Sequence, residues 1–180
     1  RWIALNDQGE TVGRIAAFYD SNKDEADYVK SGGCGFFESI DEPQVAFLLF
    51  DTAKAWLQEH GYEAMDGPIN FGENDTNWGC LVQGFVPQAL GMTYNLPYYK
   101  ELFESYGFQL YYRQLGFHLD LMKPFPERFQ KIAEWINHRE GYSYKHFDPN
   151  KTAQFVDDTV SIYNQAWSKF RKDFTPMDPD

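Results

Sequence analysis

The residues with the most chemical meaning lie where an apolar, strand-forming stretch runs straight into a long helix: Cys34-Gly35-Phe36-Phe37-Glu38-Ser39-Ile40-Asp41-Glu42-Pro43. A helix N-terminus offers unpaired N–H groups and a partial positive charge, so such a junction is a natural seat for an anion. This one carries two carboxylates, Asp41 and Glu42, and then Pro43, which has no N–H to donate. An acidic residue beside a helix N-terminus stabilises the helix by about 0.3–1 kcal/mol. The structural role therefore accounts for Asp41 and Glu42 better than anion binding does.

Other chemistries find less support. His60, His118, His138 and His146 are far apart and lack zinc-ligand spacing, so no metal is expected. Cys34, within Gly32-Gly33-Cys34-Gly35, has no histidine placed to activate it and reads as a small buried thiol. There is no Gly-x-Ser-x-Gly elbow and no Walker loop.

Composition narrows the classes further. The 180 residues can bury one full domain or a domain and part of a second, and 43% hydrophobic content excludes a disordered chain. Aromatic residues at 18% imply a thick core, an aromatic-lined cleft, or both. A net charge of −11 with no Lys/Arg cluster beyond Lys169–Lys172 argues against nucleic acid as a partner. Cys34 and Cys80 do not form a disulfide framework, which is consistent with reduced thiols and a cytoplasmic location. No apolar run is long enough to span a membrane, and no membrane partner is expected. The chain starts at Arg1 inside an apparent strand and stops shortly after a helix, so it is expected to continue at both ends.

The elements that must position these residues are legible in outline. Trp2–Leu5 and Thr11–Tyr19 read as a hairpin about the Asn6-Asp7-Gln8-Gly9 turn, and Gly35–Ile40 as a third strand antiparallel to the second. A helix is expected from Pro43 to His60, stopped by Gly61, with Val45, Leu48, Leu49, Ala53, Trp56 and Leu57 on its apolar face. Tyr62–Met65 reads as a short strand and Pro97–Tyr106 as a short helix stopped by Gly107. Phe108–Leu121 and Tyr142–Phe147 read as strands, Pro126–Glu140 as an amphipathic helix, and Asp148-Pro149 as the cap of a helix reaching about Phe170. Between them, Ile69–Leu96 is a long Asn-, Gly- and aromatic-rich loop, and loops of that length are more often functional than inert. Its Asn70, Asn74 and Asp75 suit turn chemistry and ligand contact equally.

This element order resembles the core of the Gcn5-related N-acetyltransferase (GNAT) superfamily without its first strand and first helices. The segment Asn95-Leu96-Pro97-Tyr98-Tyr99-Lys100-Glu101-Leu102-Phe103-Glu104-Ser105-Tyr106-Gly107-Phe108 looks like that superfamily's fourth helix with its terminal Gly-Phe pair. Met65-Asp66-Gly67-Pro68-Ile69-Asn70, followed by Glu73-Asn74-Asp75 and Trp78-Gly79, is similar to a group of bacterial GNAT-like proteins that can carry two such domains in tandem. The resemblance covers about Trp2 to Leu121. It implies an α+β fold, with a mostly antiparallel mixed sheet flanked by helices. The chain would divide into a GNAT-like domain over 1–123, a connecting helix over 124–141, and the start of a second unit over 142–180.

The resemblance also implies a reaction: transfer of an acyl group from acetyl-CoA or another acyl-CoA to a small-molecule amine. Backbone near Phe37, Ser39 and Ile40 would meet the cofactor. Glu38 is a candidate general base beside the expected cleft, as are Glu73 and Asp75 in the loop. Asn70, Glu73, Asn74, Asp75 and Trp78 are the substrate-facing candidates. Two departures are specific. The superfamily's cofactor loop, roughly Gln/Arg-x-x-Gly-x-Gly/Ala, corresponds here to Ser39-Ile40-Asp41-Glu42-Pro43-Gln44, and Phe103 stands where many members have a catalytic tyrosine. Tyr98, Tyr99 and Tyr106 lie nearby, and Tyr99 is the first choice among them as a replacement acid. Two readings follow: an N-acyltransferase with a divergent cofactor loop, or a catalytically degenerate GNAT-like domain that binds a ligand or acts as a scaffold. In either, the partner is a second GNAT-like domain in the same chain or a homodimer.

Overall fold

The fold is that of a computed structural model describing residues 1–20, 29–70, 79–170, 174 and 176–178. The chain divides into two compact units, Arg1–Gln114 and Leu115–Asp180.

The first unit is built on four strands, β1 (Trp2–Leu5), β2 (Thr11–Phe18), β3 (Ser31–Ser39) and β4 (Ala64–Asp66), with helices α1 (Pro43–Glu59) and α2 (Tyr99–Tyr106). The sheet order is β1-β2-β3-β4. The first three strands are antiparallel, and β4 lies parallel to β3 because α1 carries the chain back across the sheet. The class is α+β. At the β1–β2 turn, Asn6 Oδ1 accepts the N–H groups of Gln8 at 3.0 Å and Glu10 at 2.9 Å, side-chain chemistry that closes a tight turn.

Helix α1 begins at Pro43, where a missing N–H costs nothing. It ends in a pair of reverse bonds: Gly61 N donates to Gln58 O and Tyr62 N to Leu57 O, both at 3.0 Å. Its buried residues are Ala46, Leu49, Phe50, Ala53 and Leu57, one face at spacings of three and four. Leu48, expected on that face, is 60% exposed, because it lies on nearly the opposite side of the helix from Phe50. Phe50 instead takes the centre of the core. Its ring stacks on Phe37 at 4.7 Å and meets Phe103 at 4.8 Å and Phe108 at 5.3 Å. Ring pairs at these separations add about 0.5–1.5 kcal/mol each beyond burial. Tyr106 Oη donates to Asp51 Oδ1 at 2.6 Å and ties α2 to α1.

The second unit holds α3 (Glu127–Asn137), a 3-10 turn at Pro149–Lys151, and α4 (Thr152–Trp167). Asp148 Oδ1 accepts the Asn150 N–H at 3.0 Å and so caps the turn. Arg139 places its guanidinium 5.0 Å from the Trp135 ring centre and 5.1 Å from that of Tyr142. Neither helix buries a residue.

Two expected strands are absent. Phe108–Leu121 and Tyr142–Phe147 have no strand structure. Alternating Leu115, Phe117, Leu119 and Leu121 carry the right period, but a strand exists only when a neighbour pairs its backbone, and none does among the described residues. The sheet strands also run differently from expectation. β3 starts earlier, at Ser31, and β4 is displaced to Ala64–Asp66.

Cys34 sits at the middle of β3, fully buried, and burial, with the charge of Asp66 adding, pushes its thiol from 9.0 up to about 12. The unfolded chain therefore releases this proton before the folded one does. The stabilisation is complete below about pH 9 and is lost as pH rises toward 12. Over that window the protein should lose up to about 1.4 kcal/mol per pH unit more than the Cys34→Ala variant, read by urea unfolding. Equal slopes for the two proteins would exclude Cys34 as the titrating group.

Candidate functional site

The ladder between β2 and β3 slips by one residue. Arg14 pairs with Glu38 but Ala16 pairs with Gly35, so Phe36 and Phe37 together oppose Ile15. This is a β-bulge, a device that re-aims backbone and recurs beside active sites. Phe36 has φ 50, the left-handed region that a bulky residue enters at a cost of order 1 kcal/mol.

On its other edge β3 pairs with β4 only from Ser31 to Gly33. Beyond Asp66 the chain leaves the sheet and lies flat against β3. Ile69 N donates to Cys34 O at 2.9 Å. Asn70 Oδ1 then accepts the Phe36 N–H at 2.8 Å. Two glycines make this approach possible: a Cβ on Gly35 would fall 1.5 Å from Ile69 O, and one on Gly67 would fall 2.3 Å from Cys34 Sγ.

Further along the same edge, two tyrosines from the start of α2 take the place of a strand. Ser39 N donates to Tyr99 Oη at 3.3 Å, and Tyr98 Oη donates to Ser39 O at 2.7 Å. From Phe36 to Ser39, then, side-chain oxygens hold edge N–H groups that a neighbouring strand would hold in a complete sheet.

A groove of about 620 Å³ runs beside this edge. It is lined by Thr11–Arg14 and Phe36–Ile40, by Pro68, Asn70 and Gly79, and by Met92–Leu96 with Tyr98 and Tyr99. Asn95 fixes its far wall: Oδ1 accepts the Leu81 N–H at 2.6 Å while Nδ2 donates to Leu81 O at 3.1 Å. A second hollow, about 410 Å³ along α3, is lined by residues of that one helix, Glu127, Arg128, Lys131, Ile132 and Trp135.

The residues singled out from the sequence sort clearly. Glu38, Ser39, Ile40, Asn70 and Tyr99 all line the groove. Glu38 Oε1 accepts from Arg14 at 2.8 Å. Tyr99 is 8% exposed, and burial raises its pKa above the ordinary tyrosine value. Its proton has no acceptor among the described residues. Phe37 turns its ring into the core, so only its backbone faces the groove. Ser39 Oγ donates to Ile40 O at 2.9 Å. Glu73, Asn74, Asp75 and Trp78 lie outside the described residues.

Sequence reasoning missed Phe36, Arg14 and Asn95. A bulge depends on the register of two strands and leaves no local signal. The cross-strand Arg14–Glu38 pair needs the same register.

Among the described residues no three His, Cys, Asp or Glu side chains come together as a metal site. His60 serves the α1 terminus, with Nδ1 2.8 Å from Trp56 O. Among the described residues no helix is long and apolar enough to cross a membrane.

The chain is similar to two known proteins. It is 34% identical over 177 residues, 92% of its length, to protein YghO of Escherichia coli (strain K12). It is 28% identical over 162 residues, 89% of its length, to the bacterial ceramide synthase of Caulobacter vibrioides (strain NA1000 / CB15N). The aligned part makes up 42% of each relative, so the chain spans less than half the length of the curated relatives it matches. No protein-family model matches the chain. No solved structure matches it.

The close approach at Gly35 predicts a sharp mutational contrast. Gly35→Ala must push the Ile69–Asn70 backbone off β3 and should cost about 3 kcal/mol in denaturant unfolding. Gly116→Ala, where nothing lies within 4 Å, should stay within about 0.5 kcal/mol of wild type. Similar values for the two would contradict the contact.

Proposed function

We propose that this chain is part of a GNAT-type N-acyltransferase, in which an amine attacks an acyl thioester held along the open edge of β3. The observation that carries the reading is the edge itself: bulged at Phe36, paired with β4 only as far as Gly33, and bordered by a groove where side-chain oxygens hold its N–H groups. A relative named a ceramide synthase supports acyl transfer to nitrogen, since ceramides are fatty-acid amides of long-chain amino alcohols. A long-chain acyl donor and an amino-alcohol acceptor are therefore the first pair to try.

The roles follow from the geometry. The amine nitrogen forms a bond to the thioester carbonyl carbon, and the C–S bond breaks. Strand N–H groups aimed at the carbonyl oxygen stabilise the charge that develops there. The amine gives up a proton to Glu38, whose carboxylate lines the groove beside Arg14 and passes the proton on to solvent. The thiolate needs one in return. Tyr99 can supply it, because a phenol with a raised pKa keeps its proton through neutral pH. The products are an amide and a free thiol, and solvent reprotonates Tyr99.

A second reading has its own support. Asp41, Glu42 and Pro43 occupy the turn where CoA phosphates would be bound, and Phe103 is packed in the core. A binding or scaffolding domain that has lost catalysis accounts for both.

The two readings separate on the full-length protein. Thermal-shift titration with acetyl-CoA and longer acyl-CoAs should show saturable stabilisation, about 2.7 kcal/mol at one hundred times Kd. Amide should form when a long-chain amino alcohol is added. No shift with any thioester would leave the scaffold reading. In the active protein Tyr99→Phe should lower kcat roughly a hundredfold. The wild-type rate should hold until the pH passes about 10, because raising the acid's pKa moves its deprotonation upward. An alkaline fall in kcat near pH 8 would assign the acid elsewhere.

A further inference from the structure

We propose that Asn70 is a gate on the donor site: its side-chain carbonyl holds the Phe36 N–H that the thioester carbonyl must take, and turns away when the donor arrives. The inference rests on the acyl-transfer reading above and adds a residue that controls it.

Three observations lead to it. Asn70 Oδ1 is an amide oxygen 2.8 Å from Phe36 N, the same kind of acceptor as an acyl carbonyl. A backbone N–H supplies one hydrogen, so the two compete for it. Phe36 also belongs to the bulge, where the ladder with β2 gives two residues one partner. Its N–H is therefore not part of the regular sheet bonding that would resist exchange. Finally, the backbone that carries Asn70 is anchored separately. Ile69 N stays bonded to Cys34 O at 2.9 Å, and the segment rests on Gly35. Only the side chain must turn, and Asn70 lines the groove into which the donor would come.

The competition sets a measurable bias. A neutral hydrogen bond that must be given up weakens donor binding about two- to tenfold. Asn70→Ala should remove that competition and tighten the Kd for an acyl-CoA by the same factor. Asn70→Asp should do the reverse, because a carboxylate accepts the N–H more strongly and repels an anionic donor. A loss of about tenfold or more is expected.

The experiment is calorimetric titration of the full-length wild type, Asn70→Ala and Asn70→Asp with one acyl-CoA, together with backbone amide spectra of protein carrying isotope-labelled phenylalanine. Opposite changes in Kd, with the Phe36 amide resonance shifting as donor saturates the wild type, support the gate. Weaker binding in both variants marks Asn70 as a structural tie and overturns the gate alone. The wild-type spectrum decides the matter even if a variant fails to fold, since an unmoved Phe36 amide at saturation also overturns it. No binding of any acyl thioester to wild type removes the acyl-transfer reading, and the gate falls with it.

Discussion

Two backbones touch at Gly35, and most of the first unit is arranged around that contact. Ile69 O lies so near that no side chain fits between, and Gly67 closes in on Cys34 from the same side. A chain pressed this tightly against a strand cannot also run beside it as the next strand. β4 therefore ends at Asp66, three paired residues after it began. What remains of β3 faces loop and helix on that side, and its N–H groups must find oxygens elsewhere. Asn70, Tyr98 and Tyr99 supply contacts to Phe36 and Ser39 at distances of 2.7 to 3.3 Å. The groove lies beside this end of β3, with β2 residues Thr11–Arg14 also lining it.

That arrangement needs support from behind, because an edge held by side chains is only as firm as the elements that carry them. Tyr99 shows how the support works. Its hydroxyl faces Ser39 while its ring packs edge-on against Phe37 at 5.3 Å, and Phe37 stacks on Phe50 of α1. One aromatic stack thus fixes the height of α2 over the sheet and the reach of its tyrosines. The Tyr106–Asp51 bond fixes the other end of the same short helix. A helix of eight residues is marginal on propensity alone, so these tertiary contacts determine its position.

Patterns that depend on one segment were legible in the sequence. The hairpin turn, Pro43 at the start of α1, Gly61 past its end and the core role of Cys34 all follow from local chemistry. Patterns that depend on two segments were not. Leu48 and Phe50 could not be sorted into outside and inside until the helix had a sheet to face. The alternation of Leu115 to Leu121 promised a strand without any guarantee of a partner. At the site the same division holds. Glu38, Tyr99 and Asn70 could be named as polar or phenolic residues near the right elements. The bulge beside them exists only in the register between β2 and β3.

The turn at Asp41, Glu42 and Pro43 takes on a narrower meaning beside this edge. In a site that bound its donor chiefly through phosphates, the acidic turn would oppose the ligand at its most charged point. Here the N–H groups of Phe36 and Ser39, held by side-chain oxygens, lie along β3 before the turn. Glu42 meanwhile serves the helix with its own carbonyl, accepting the N–H groups of Val45 at 3.1 Å and Ala46 at 3.2 Å. Charge at the helix start and hydrogen bonding at the strand edge are thus separable. A change at one need not disturb the other. Under the acyl-transfer proposal, donor choice would then rest on contacts along β3, and the acidic turn would disfavour a tightly held diphosphate.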